Sequence, residues 1–388
     1  MKKSLGIAGL ALASSLLATS AVAQENTLDL PRTLAWSAYD VGSGGYNQAI
    51  AIGNALKQKY GVNLRVIPGK NDASRSLPLR QGQVQFAATG IAGTYMAQEG
   101  MDEFGKAMWG PQPVRAVLLN NSDQILTVIA AADAGIKTPA DLKGKRVSWV
   151  IAAPSVNAAV TGILAFGGLT WDDVEKVDFG GFGASMDGVV GNRVDAAFTS
   201  SISGKAYEVA KSPRGMVYLE MPKGDVEGWK RLQAAAPYMI PAMGTEGADL
   251  SPEKPAESAS YPYPVLMTNA STDASLVNKM LNAMDETFDE YKDAAPGNVG
   301  WAMDRQSLSW VVPYHEGAIE FFKSKGMWTD EDQKNNDMLI KRQEVLAKAW
   351  QDVKSRKHAN AAEFEQDWMK TRAGALTAAG MDAGTSNW

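Results

Sequence analysis

The chain has 388 residues, no cysteine, two histidines and a formal charge of −5 from 38 basic and 43 acidic residues. This composition excludes disulfides, a lipid-bearing cysteine anchor and thiolate chemistry, and makes a zinc site, a nucleic-acid partner or an anionic membrane surface a poor fit. Its length exceeds what one hydrophobic core usually serves, so two lobes are expected.

Met1-Lys2-Lys3 precedes an apolar run from Leu5 to about Leu17, and Ala21-Val22-Ala23 follows with the small-x-small pattern of a cleavage site. Residues 1–23 are therefore expected to be a secretory signal cut before Gln24, which makes the mature protein extracytoplasmic. The apolar run is shorter than the ~20 residues that span a bilayer.

The first series of elements alternates strand and helix: "RTLAWSAY", then the helical "GYNQAIAIGNALKQKY", the strand "NLRVIPG", the helix "SRSLPLRQGQ" and the short buried strand "VQFAATG". A second series begins at "ILTVIAA" and runs through "GKRVSWVI", "VNAAVTGILAFGG", "EKVDFGGF", "SMDGVVGNR" and "VDAAFTS" to "GMVYLEM". Such alternation predicts parallel sheets flanked by helices in two α/β lobes. We place lobe 1 at residues 24–122 and 223–326 and lobe 2 at residues 123–222. Prolines, glycines and acids cluster between Pro237 and Pro264, where a long connecting loop is expected. Residues 327–388 form a charged C-terminal helical extension, opened by Thr329 and Asp332 as a capping pair. Its stripe of Leu339, Val345, Leu346, Ala349, Trp350 and Val353 suits packing on a lobe, with dimerisation or docking on a membrane partner as the alternatives.

No enzyme motif emerges. "GASMDG" around Ser185 lacks the Gly-x-Ser-x-Gly spacing, every Gly-Lys pair lacks the Ser or Thr of a phosphate loop, and "GSGGYN" lacks the last glycine of a dinucleotide fingerprint. His315 and His358 are the only imidazoles, and His315 suits a turn as well as a general base.

Five turns rich in Gly, Ser, Asn and Thr follow presumed strands: Ser43 to Asn47, Asn71 to Arg75, Thr89 to Thr94, Ser155 to Asn157, and Thr199 to Ser203. In doubly wound sheets such turns gather at the carboxyl ends of strands, where ligands bind. The unpaired first amides of a helix can hold an anion there, although the same residues also serve as ordinary helix caps. Arg75 adds a planar fork suited to a carboxylate.

The ordered set "DVGSGGYNQAIAIGNAL", "LPLRQGQVQFAATG", "GIKTPADLKGKRVSWV", "GNRVDAAF" and "VPYHEGAIEFFKSKG" resembles the TAXI family of solute receptors for tripartite ATP-independent periplasmic (TRAP) transporters, from about Trp36 to Met327. The resemblance implies a type II periplasmic binding fold, two doubly wound lobes on a hinge, with no catalytic activity and no cofactor. It also implies capture of a small organic anion, a carboxylate or amino acid, and delivery to a TRAP-type membrane permease; we expect the receptor to be a monomer. The chain departs from the family at Gly44-Gly45-Tyr46-Asn47, where Gly-Gly-Thr-Tyr-Tyr is usual, at "APSVN" in place of a Gly-Ser-Gly-Thr-like turn, and at Arg75, where Asn is frequent. The expected ligand site comprises Arg75 with Ser43, Gly44, Gly45, Tyr46 and Asn47, together with Thr89, Ser155, Asn157, Thr199 and Ser200. Tyr46 would be an apolar wall, and Trp36, Trp149, Trp301 and Trp310 are the tryptophans nearest strand ends or crossovers. A secreted hydrolase on the same scaffold and a ligand-sensing partner of a signalling receptor are the competing classes.

Overall fold

The computed structural model describes residues 26–384. The expected signal peptide lies outside the described residues. Within them no helix is long and apolar enough to cross a membrane.

The chain opens with β1 (Thr33–Ala38), α1 (Gly44–Tyr60), β2 (Asn63–Pro68), α2 (Asp72–Arg80), β3 (Phe86–Thr89), α3 (Ile91–Glu99) and β4 (Val114–Leu119). Helix α1 starts where Ser43 Oγ accepts from Tyr46 N and stops at Gly61, whose left-handed backbone caps the last turn. The segment then continues into β5 (Leu126–Ala130), β6 (Arg146–Val150), α4 (Pro154–Phe166), β7 (Glu175–Phe179), α5 (Phe182–Val190), β8 (Ala196–Ser200), α6 (Gly204–Ala210) and β9 (Val217–Tyr218). Strands β3, β5 and β8 are buried along their whole length, as continuous apolar runs covered on both faces should be.

Next come α7 (Val226–Ala235), β10 (Ile240–Gly244) and β11 (Ala256–Ser260). The stretch expected as a loop is thus an antiparallel pair, with Ile240 opposite Ser260 and Gly244 opposite Ala256. Backbone pairing supplies the regularity that its mixed side chains conceal. Helix α7 lies against α4, where Arg231 donates to the carbonyls of Ala165 and Phe166 and Trp229 meets Phe166 edge-on at 5.4 Å. Ser258 on β11 bonds Thr127 on β5 at 2.8 Å. Residues 226–260 therefore sit with the second sheet, whereas the sequence reading had set them with the first.

The chain returns through β12 (Val265–Asn269), α8 (Ala274–Glu286), α9 (Phe288–Tyr291) and α10 (Glu316–Ser324). The two five-stranded sheets run β2-β1-β3-β12-β4 and β7-β6-β8-β5-β9. Neither is wholly parallel, as the alternation had suggested, since β12 opposes β3 and β4 and β5 opposes β8 and β9. Each odd strand is the first to enter a lobe after a crossing. The other strands point their carboxyl ends at the partner lobe, so a chain arriving from that side must run the opposite way.

The C-terminal extension is α11 (Asp330–Ser355) and α12 (Ala361–Ala378). Thr329 and Asp332 form the expected capping box, and three acids fill the first turn, where the helix dipole favours them. Trp350, Phe364 and Trp368 close a small core between the two helices. Trp368 Nε1 then donates to Gly100 O at 2.6 Å, and Gln343 bonds Gln98 and the Val114 carbonyl, so the extension packs on the first lobe.

Candidate functional site

The two crossings lie side by side. Tyr263 N donates to Asn120 O at 3.0 Å and Asn120 N to Pro264 O at 3.1 Å, while Gln124 Nε2 donates to Tyr263 O at 2.6 Å. Tyr261 and Tyr263 leave this paired segment and project between the lobes. In front of them is a cavity with about 650 Å³ free of protein atoms, part of it continuous with solvent.

Its walls come from the carboxyl ends of strands in both sheets. Tyr39, Asp40 and Ser43 follow β1, and Gly69 to Asp72 with Arg75 follow β2. From the second lobe come Ser155 and Val156 after β6, Phe182 after β7, and Thr199, Ser200 and Ser203 at the end of β8. This is where doubly wound sheets place ligands.

The deepest charges are paired with each other. Arg75 is 3% exposed and Asp72 2%. One guanidinium nitrogen of Arg75, Nη2, bonds Asp72 Oδ1, and Nε donates to Thr89 Oγ1 at 3.1 Å. The guanidinium plane rests on the Tyr39 ring, 3.8 Å from its centroid, a cation–π contact in a dry setting. The other carboxylate oxygen of Asp72 reaches the opposite lobe, accepting from Ser155 N at 2.9 Å and Ser155 Oγ at 2.6 Å. Ser155 N belongs to the first turn of α4, so the positive end of that helix is occupied by the protein's own carboxylate.

The lobes meet at further points. Gly297 N of the first lobe donates to Glu246 Oε1 beyond β10 at 2.6 Å, and Ile202 packs against Gly44 and Gly297. The conformation is closed.

Gly93, in the first turn of α3, makes room for the Asp72 carboxylate: a Cβ there would stand 2.9 Å from Oδ1. That oxygen cannot move without loosening Arg75 or Ser155. A helical Gly→Ala change normally stabilises by about 0.5–1 kcal/mol, so Gly93→Ala should instead cost about 1–3 kcal/mol through overpacking. Urea unfolding reads the sign; a gain in stability would mean that the carboxylate is not confined.

Three tyrosines complete the wall. Tyr39 and Tyr263 lie 4.9 Å apart, Tyr39 Oη accepts from Gly90 N at 2.5 Å, and Tyr263 Oη accepts from Gly45 N at 3.4 Å. Burial raises the pKa of Tyr39, Tyr261 and Tyr263, more than offsetting the lowering effect of Arg75 on Tyr39, so all three remain neutral phenols.

Of the residues expected at the site, Ser43, Arg75, Ser155, Thr199 and Ser200 line the cavity. Gly44 and Gly45 are buried beside it, where a Cβ would meet Ile202 or Tyr39, and Thr89 stands behind Arg75. Ser200 Oγ is bonded to Gln124 Oε1 at 2.6 Å and Thr199 Oγ1 to the Ser200 carbonyl at 3.1 Å. Asn47 is exposed and Tyr46 half-buried, and neither belongs to the wall. Helical geometry turns both away while their neighbours Gly44 and Gly45 face inward. Asn157 is buried but spends its amide on both polar groups of Val150, tying β6 to α4.

Trp36 and Trp301 are core residues, and the aromatic wall is Tyr39, Tyr261, Tyr263, Phe182 and Phe198. Sequence reasoning missed Asp72, Tyr39, Tyr261 and Tyr263. The three-residue spacing of Asp72 and Arg75, which puts them on one helix face, was the available signal for the first.

Ser185 Oγ donates to Phe182 O at 2.8 Å within α5, and His315 Nδ1 accepts from Gly317 N at 3.2 Å at the start of α10. Burial lowers the His315 pKa, so the imidazole is neutral. Among the described residues, no group of three or more His, Cys, Asp or Glu could hold a metal ion.

Two mixed α/β lobes closed over a cavity at their strand ends define a type II periplasmic binding fold. The chain belongs to the NMT1-like family, whose model matches residues 42–326. No curated protein is significantly similar to it. Among solved structures it is similar to an ancestral arginine-binding protein bound to arginine, at 16% identity over 68% of this chain and 98% of that one, TM-score 0.44. It is also similar to the alkanesulfonate-binding protein of Xanthomonas axonopodis pv. citri bound to MOPS, at 12% identity over 78% of this chain and 96% of that one, TM-score 0.41.

Proposed function

We propose that this protein is a periplasmic solute receptor, exported by the signal at residues 1–23, which closes its lobes on a small organic molecule and passes it, as a monomer, to a TRAP-type membrane permease. The observation that carries this reading is the cavity itself, walled by the strand ends of both lobes and backed by two paired crossings. The ordered motifs from Trp36 to Met327 support the choice of permease. A hydrolase would need a nucleophile with a base in the cavity, and neither Ser185 nor His315 lines it.

The energetics suit the role. Only the closed form offers both walls to a ligand, so binding draws the population towards it. Moving a 1:99 closed ratio to 99:1 takes about 5.5 kcal/mol of preference for the closed form, and a micromolar ligand supplies about 8.2 kcal/mol in all. Most contacts must therefore form on closing.

Thermal unfolding of the signal-free protein against small organic solutes tests the reading. A true ligand at a hundred times its Kd should add about 2.7 kcal/mol of apparent stability, with calorimetry detecting binding and no product. Turnover of the ligand, or no shift with any solute class, would sink it.

A further inference from the structure

Resting on the solute-binding reading, we propose that the cavity selects an uncharged organic molecule with a flat apolar body and one hydrogen-bond acceptor, because Asp72 already stands where a ligand carboxylate would bind. Three observations carry this.

Arg75 is the buried cation of the wall, and its charge is matched by Asp72 on the same helix face. The other charged wall residues, Lys70 and Asp40, are one of each sign, so the wall as a whole carries no net formal charge. A ligand carboxylate would have to share Arg75 with a second carboxylate in a site largely removed from water, an arrangement in which one of the two resists ionisation.

Four of the helix starts around the cavity already spend first-turn amides on the protein's own side chains, whereas α5, which brings Phe182 to the wall, has no side-chain cap. Ser43 Oγ caps α1, Asn71 and Ser74 form a reciprocal box on α2, Asp72 takes the α4 amide of Ser155, and Ser203 Oγ accepts from Lys205 N on α6. At those four helices a ligand anion would have to compete with oxygens of the protein itself for the first-turn amides.

What is left suits a neutral molecule. Among the described residues Arg75 Nη1 makes no hydrogen bond, so it can donate to a carbonyl or hydroxyl oxygen without requiring a charge. Around it are the rings of Tyr261, Tyr263, Phe182 and Phe198 with Leu126 and Val156, a surface for stacking rather than for solvating charge.

The test titrates the signal-free protein, in a calorimeter near neutral pH, with two matched pairs: benzamide against benzoate, and phenylacetamide against phenylacetate. Each amide should bind at least tenfold more tightly than its acid. Asp72→Asn, which removes the internal anion but keeps its shape, should shift that ratio at least tenfold towards the acids. If this variant fails to fold, the wild-type ratio still decides. Tighter binding of either acid by the wild-type protein overturns the proposal and leaves the solute-binding reading intact. If neither pair binds, a wider thermal screen arbitrates: an uncharged best binder supports the proposal, an anionic one overturns it, and the absence of any binder fails the solute-binding reading itself.

Discussion

Glu99→Ala should destabilise the protein by about 3–5 kcal/mol, the cost of stripping a buried ion cluster of its partner. Glu99 is fully buried at the end of α3, where Arg342 of α11 donates to Oε1 from Nε at 2.7 Å and to Oε2 from Nη2 at 2.8 Å. Arg372 of α12 reaches the same carboxylate at 2.5 Å and the Glu99 carbonyl at 3.2 Å. A single acid thus anchors both helices of the extension. Its loss would leave two guanidinium groups beside an apolar helix, so the urea midpoint should fall and α11 and α12 should become open to limited proteolysis. An unchanged midpoint would mean that the extension is held by its tryptophans and Gln343 without help from the ion cluster.

The same cluster predicts acid sensitivity. Burial alone would raise the Glu99 pKa, but hydrogen bonds from Arg342 and the charges of Arg372 and Arg342 outweigh it and hold the value below the ordinary 4.5. Because the folded value is the lower one, this stabilisation is complete above about pH 4.5 and is lost as pH falls through the depressed folded value. The stability gap between the wild-type protein and Glu99→Gln should therefore narrow in acid. A gap that widens on acidification would contradict the assignment.

Arg75→Ala should cost a similar amount, about 3–5 kcal/mol, even without ligand. From sequence, Arg75 is expected to meet a ligand's carboxylate. Its carboxylate is Asp72, so the variant leaves that group buried with only Ser155 as a partner. Replacing both residues should cost less than the sum of the single changes, and the difference in a double-mutant cycle is the coupling of the pair. Additive costs would show that the two side chains act independently.

Local signals carried much of the fold. The succession of apolar runs and capped helices from Thr33 to Thr89 and from Leu126 to Tyr218 was legible because each element announces itself within a few residues. The Thr329 and Asp332 box was legible for the same reason. The helical character of residues 327–388 was legible too, but the packing of α12 was not, since Phe364, Trp368 and Leu376 are its sparse buried apolar positions and their partners lie on α11 and at Gly100. The β10–β11 pair was also hidden, because its order lies in cross-strand hydrogen bonds between segments without clear alternation.

The sequence by itself determined the compositional exclusions, the alternation of strands and helices, and the turns where a site could form, all properties of neighbouring residues. Tertiary structure alone decided the direction of β5 and β12, which follows from the side on which the chain enters each lobe. It also decided the charge of the site. An acid at Asp72 is fully accounted for locally as a favourable first-turn residue of α2. Only the approach of the second lobe brings Ser155, 83 positions further along the chain, to the same carboxylate.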